Sequence, residues 1–160
     1  MGALDRQTMA TITLRVSGDR AKHGEEIAVE DLSAALDAAD GLAWVDIRNP
    51  DADERKWLLA QGYHEMAIED CFKEPVTKAY VYETHRFVVV RARDADKEID
   101  TEFLCVFVTD ELLVTVRHSA MPAVKNFGKR FGSKKIQRRV ELGAEYLLYE
   151  ILDAIADDWY

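Results

Sequence analysis

Two groups of acidic side chains carry the most legible chemistry in this sequence. Glu69 and Asp70 sit together on a short helical stretch, while Glu150, Asp153, Asp157 and Asp158 recur along the last twenty residues. Neither group includes a Cys-x-x-Cys pair or a Cys/His cluster. An oxygen-only donor set favours a hard, hydrated cation such as Mg²⁺ or Ca²⁺ over zinc or copper. Glu69, Asp70, Asp153 and Asp157 are therefore the candidate metal ligands. The same residues also read as solvated acidic helix faces, and spacing alone does not choose between the two.

Other chemistries find less support. His64-Glu65-Met66-Ala67-Ile68 begins like the zinc-protease signature His-Glu-x-x-His, but Ile68 stands where the second imidazole must be. It reads instead as a helix N-terminus with a favourable early acid. There is no Gly-x-Ser-x-Gly elbow, Gly-x-Gly-x-x-Gly or P-loop, and neither cysteine has a histidine close in sequence. Catalytic residues and phosphate-bearing cofactors are not expected. Cys71 and Cys105 belong to no Cys-x-x-Cys pair and read as small buried hydrophobes.

At 160 residues and 48% hydrophobic content the chain is long enough for one core. A single domain is expected. The longest apolar run, Phe103 to Val108, is far too short to span a bilayer, and Arg6 stands where a myristoylation motif needs Ser or Thr. The net charge of −9 is unevenly spread, because residues 125–139 contain seven basic and no acidic side chains. With few aromatics among them and an acidic remainder, no nucleic-acid partner is expected. Lys129, Arg130, Lys134, Lys135, Arg138 and Arg139 read as a solvated face, or as counter-charge for the acidic surface of a neighbouring subunit.

The elements that position these residues follow from periodicity. Thr11 to Val16 alternates as a strand ended by Ser17-Gly18-Asp19, and Ile27 to Val29 reads as a second short strand. Asp31 is positioned to cap a helix running to about Ala39. Ala43 to Ile47 reads as an interior strand, and Asn49-Pro50-Asp51 introduces a helix stopped by Gly62. A short helix spans His64 to Phe72, with Ile68, Cys71 and Phe72 inward and Glu69 and Asp70 outward. Ala79 to Tyr82, Phe87 to Ala92, Phe103 to Val108 and Leu112 to Val116 read as strands, the last two as a tight hairpin. A helix from Pro122 to about Phe131 is followed by a basic connection. The final helix places Leu148, Leu152, Ile155 and Trp159 on one side and Glu150, Asp153 and Asp157 on the other. Its acidic end lacks a cap, so the sequence reads as a fragment that needs a cation beside its acidic face. The expected class is α/β, a mixed parallel/antiparallel sheet covered on both faces.

The string from Trp44 onward resembles the cytoplasmic domain of the CorA family of magnesium transporters. The pieces that carry the resemblance are Trp44-Val45-Asp46, His64 to Asp70, Tyr82 with Phe87 to Val90, Thr101-Glu102 with Leu112 to Val116, and Tyr146 to Tyr160. The Glu-Asp element together with the Tyr-Leu-Leu-Tyr to Asp-Asp element is the more specific part. What the resemblance implies is an α/β/α domain of a homopentamer, on the cytoplasmic face of the cell membrane, with the last helix continuing as a stalk into two membrane helices. It also implies regulatory Mg²⁺ sites between subunits, with Asp70, Glu69 and Asp153 matching family positions. Where the family has Arg-Pro-Lys before the strand after the Glu-Asp helix, this chain has Val76-Thr77-Lys78. That divergence keeps a zinc-transporting relative open as an alternative. A soluble protein-binding module sharing the fold is another, and a carboxylate hydrolase a third.

Overall fold

The computed structural model describes residues 9–18, 21–93 and 101–159; Asp19 of the expected first turn, Tyr160 of the expected last helix and the segment with Arg6 lie outside the described residues. In chain order the elements are β1 (Thr11–Val16), β2 (Lys22–Glu26), α1 (Val29–Asp37), β3 (Ala43–Arg48), α2 (Ala52–Ala60) and α3 (Glu65–Asp70). They continue with β4 (Lys78–Val81), β5 (Arg86–Arg93), β6 (Thr101–Val108), β7 (Leu112–Arg117), α4 (Pro122–Arg130), α5 (Lys134–Val140) and α6 (Ala144–Asp157).

The strands form one seven-stranded sheet in the order β2-β1-β3-β7-β6-β5-β4. The central β3–β7 pair is parallel. The remaining pairs are antiparallel, including the expected β6–β7 hairpin. Because side chains alternate across a sheet, the central strands β3, β7, β6 and β5 feed two cores. Leu14, Val45, Ile47, Val89, Phe107 and Val114 point to one face, where Leu32 of α1, Trp57 and Leu58 of α2 and Ile68 of α3 cover them. Trp44, Leu104, Val106, Val108 and Leu113 point to the other face, under Phe127 of α4, Ile136 of α5 and Leu147 and Ile151 of α6. The result is the expected three-layer α/β/α arrangement with a mixed sheet.

The two edges of the sheet differ. β2 (Lys-His-Gly-Glu-Glu) is polar and exposed, whereas β4 leaves Tyr80 and Val81 open to solvent. Charged edges discourage further strand pairing.

Local chemistry explains the element ends. Asp51 caps α2 in a reciprocal box: its side chain accepts from Ala52 N, and the Asp51 amide donates to Glu54 at 2.7 Å. Gly62, at φ 84°, then turns the chain as expected.

Four expectations are corrected. The second strand is Lys22–Glu26 rather than Ile27 to Val29, since Val29 already begins α1. Ala28, not Asp31, occupies the N-cap of α1 and makes no side-chain bond; Asp31 lies in the first turn, where its charge still complements the dipole. The expected basic connection is a helix, α5, capped by Ser133, whose side chain accepts from Ile136 N. On α6 the buried stripe is Ala144, Leu147, Ile151 and Ile155. Leu148 and Leu152 are half-buried flanks of that stripe, and Trp159 is exposed.

Candidate cation-binding carboxylates

The sheet separates the two groups of carboxylates. Glu69 and Asp70 close α3 on one face, and Asp153 and Asp157 lie on α6 across the other. No single cation can touch both groups within one protomer. Among the described residues, no three His, Cys, Asp or Glu side chains gather in an arrangement able to hold a metal ion.

Asp70 is half-buried and ion-paired with Lys78, the first residue of the edge strand β4. The hydrogen bond from Lys78 to Asp70 raises the lysine pKa above its ordinary value. Glu69 is exposed and reaches Lys73 at 3.4 Å, one helical turn on. Both carboxylates keep part of their surface open to solvent. That suits a hydrated Mg²⁺, which usually retains several waters and takes only one or two carboxylates.

On the opposite face the basic stretch meets the acidic one inside the same chain. Arg139 of α5 pairs with Glu150 of α6 at 3.6 Å. Arg130 and Lys135 share a groove of about 180 Å³ with Glu150, Asp153 and Asp157. The cation that the sequence demands beside this acidic face is thus supplied at least partly by α4 and α5. Asp153 and Asp157 remain exposed at the groove mouth. The carbonyl of Asp158, at the negative end of the helix, accepts a 2.8 Å bond from Arg93 of β5. The cap absent from the last turn therefore arrives from another element, a contact that local sequence cannot display.

A second polar system lies in the core beneath α4. Trp44 Nε1 donates to Thr115 Oγ1 at 3.0 Å, Thr115 donates to Asp46 Oδ1 at 2.8 Å, and Arg117 bonds both oxygens of Asp46 at 2.9–3.3 Å. Arg117 also donates to the carbonyls of Ser119 and Ala120. These bonds fix the turn that places buried Met121 in left-handed backbone (φ 41°) immediately before α4. Arg15 lies over the Trp44 ring, 4.5 Å from its centroid, and burial lowers its pKa while Asp46 opposes that shift. This network positions α4, and with it the wall opposite the α6 carboxylates. The sequence signal for it was two charged residues, Asp46 and Arg117, on otherwise apolar strands.

Both cysteines are free and buried, as expected. Burial, followed by the neighbouring Cys105 thiol, pushes the Cys71 thiol well up, so it is held in its neutral form.

The profile of the family described as CorA-like Mg²⁺ transporter protein matches residues 39–160. The chain belongs to this family. Its fold is similar to that of the soluble domain of CorA from Methanocaldococcus jannaschii, with TM-score 0.68 and 21% identity over 92% of this chain and 56% of that one. It is also similar to the complete CorA magnesium transporter of the same organism, with TM-score 0.67 and 21% identity over 94% of this chain and 45% of that one. The ZntB cytoplasmic domain from Vibrio parahaemolyticus matches with TM-score 0.67 and 11% identity over 92% of this chain and 58% of that one. The chain thus spans about half the length of these CorA-like structures. No curated protein sequence matches it. Among the described residues no helix is long and apolar enough to cross a membrane.

Proposed function

We propose that this CorA-like domain senses divalent cations, Mg²⁺ foremost, for a pentameric transporter, from the cytoplasmic side of the membrane. One observation carries the reading: a family member of this fold presents partly exposed carboxylate pairs on opposite faces of its sheet, each too small to enclose an ion. Glu69 and Asp70 supply one half of a shared site, and Asp153 and Asp157 supply oxygen ligands at another protomer boundary. Unliganded, such carboxylates repel across the boundary. A bridging hydrated Mg²⁺ supplies positive charge and turns that repulsion into attraction.

The protein's own residues set the balance. Lys78 keeps Asp70 oriented and partly neutralised, and Arg130 and Lys135 place positive charge in the groove shared with Asp153 and Asp157. A cation shifts the gate only by the difference in its affinity for the closed and open forms, typically about 1–3 kcal/mol per effector. Repetition over several boundaries multiplies that difference.

The test is thermal unfolding and subunit association in millimolar Mg²⁺ against chelator, for the wild-type chain and for Asp70→Ala/Asp153→Ala. The wild type is expected to gain thermal stability or association with Mg²⁺, and the double variant to lose most of that gain. Identical responses in the two proteins remove these residues from the site.

A second reading, a zinc-transporting relative, is favoured by the fold likeness to the ZntB domain and by Val76-Thr77 in place of the usual Arg-Pro. The oxygen-only donor set and the two buried thiols favour Mg²⁺ as the ion sensed here. Repeating the unfolding series with Zn²⁺ separates the two readings.

A further inference from the structure

Three of the four histidines grip α3, one turn-and-a-half of helix that would be marginal alone. At its start, the backbone N–H of Met66 donates to Nδ1 of His64 at 3.1 Å. The backbone N–H of His64 donates to Nε2 of His85 at 3.3 Å. A backbone N–H only donates, so both of these ring nitrogens must be unprotonated acceptors. His85 is therefore the Nδ1–H tautomer, and that proton goes to Thr84 Oγ1 at 3.0 Å. At the other end of the helix, Nε2 of His118 lies 2.6 Å from the carbonyl of Cys71 and must be the donor. Acceptors at the N-terminus and a donor at the C-terminus match the helix dipole.

We propose that this histidine clasp is a proton-operated latch on α3: protonation of His85 converts an acceptor into a donor and releases the start of the helix that carries Glu69 and Asp70. The clasp needs the His85 ring neutral, and a positive charge there would also face the positive end of the helix.

The surroundings offer an imidazolium at His85 little compensation. His85 is 4% exposed, packed against Tyr63, Tyr82 and Phe107 with ring centroids 5.1, 4.9 and 6.0 Å away. The Tyr82 ring in turn stacks on His64 at 4.6 Å, between the two imidazoles. The ionisable groups facing the pair are Tyr63 from the turn before α3, Tyr82 from the β4–β5 hairpin and each other. The charged chain neighbours are Glu65, Glu83 and Arg86, and Arg86 is engaged by Glu145 of α6. No described carboxylate pairs with either ring. Burial first, and His64 second, lower the pKa of His85 below its ordinary 6.5. The unfolded chain therefore takes up this proton more readily than the folded one. The clasp's contribution is complete above about pH 6.5 and declines as pH falls toward the folded value. His118 donates in either protonation state, so release begins at the N-terminal end.

The latch concerns what seats α3 and does not depend on its carboxylates taking a cation. Ring ¹⁵N shifts of the 160-residue protein at about pH 7.5 are expected to show His64 Nδ1 and His85 Nε2 unprotonated and His118 Nε2 protonated. Between about pH 7.5 and about pH 5.5, amide-exchange protection at Ile68 and at Cys71, corrected for intrinsic rate, is expected to fall roughly tenfold, while protection in α6 does not. In His64→Asn/His85→Gln, which keeps side-chain oxygen acceptors that do not titrate, that loss disappears. A proton on His85 Nε2 at the higher pH, or α3 protection that ignores pH in the wild type, overturns the latch. So does an equal loss in the double variant. Should that variant not fold, the ring shifts and the wild-type exchange decide.

Discussion

Asp46 of β3 and Arg117 of β7 lie two residues off register across the parallel centre of the sheet, and the guanidinium spans the offset to bond both carboxylate oxygens. Each is at least nine-tenths buried. Removing one partner of a buried, hydrogen-bonded ion pair strands the other charge, at a cost of about 3–5 kcal/mol. Asp46→Ala is expected to lose stability in that range in urea unfolding. Asp46→Leu/Arg117→Met, which removes both charges, is expected to lose clearly less than either single change. Equal losses in the single and double variants would show that lost packing, not a stranded charge, sets the cost.

Gly128 tests the close approach of α4 to the sheet. A Cβ there would lie 2.3 Å from Nη2 and 2.7 Å from Cζ of Arg15, which is itself stacked on Trp44. Alanine normally stabilises a helix interior over glycine by about 1 kcal/mol. Here Gly128→Ala is expected to destabilise by about 1–3 kcal/mol, because overpacking outweighs propensity. In an Arg15→Ala background the same change should become neutral or stabilising, a sign reversal that a double-mutant cycle reads directly. At Gly132 the atom met is the ring of exposed His23, which can swing aside, so Gly132→Ala is expected to cost less.

Much of this architecture was legible in the residues. The apolar runs of β3, β6 and β7 declare buried strands, and Asn49-Pro50-Asp51 announces α2. What escaped did so for physical reasons. β2 is an exposed edge strand whose five residues carry no apolar alternation, since neither face is deeply covered. α5 reads as a charge run because only Ile136 and Val140, one turn apart, mark its inner side. α6 is apolar over so much of its circumference that several stripes fit, and long-range packing against α4, α5 and the sheet selects Leu147 and Ile151. For the site, the carboxylates themselves were readable. Their partners Lys78, Arg130 and Lys135, and their separation by the sheet, are products of topology.

The Lys78–Asp70 pair gives a pH prediction with a defined sign. The folded lysine pKa is raised, so the pair contributes below the ordinary value of 10.5 and its contribution fades as pH climbs through the folded value. The pair is partly exposed, and its worth is under about 1 kcal/mol after screening. The stability difference between wild type and Lys78→Met, measured by urea unfolding, is expected to be steady near neutral pH and to shrink above 10.5. A difference that grows at high pH would contradict the pairing.

The capping box of α2 can be weighed separately. Asp51→Ala removes the acceptor for Ala52 N and leaves Glu54 to bond the N-cap amide alone. A loss of about 1 kcal/mol is expected in denaturant unfolding. Asp51→Ser, which keeps an oxygen acceptor, should recover most of it.

The placement of Asp70 and Asp153 on opposite sides of one sheet limits how copies of this chain can be joined. A contact that brings α3 of one copy to α6 of the next uses two unlike surfaces, so it cannot be satisfied by a two-fold axis. Such a contact repeats head to tail, and rotation alone decides whether the series closes on itself or grows without end.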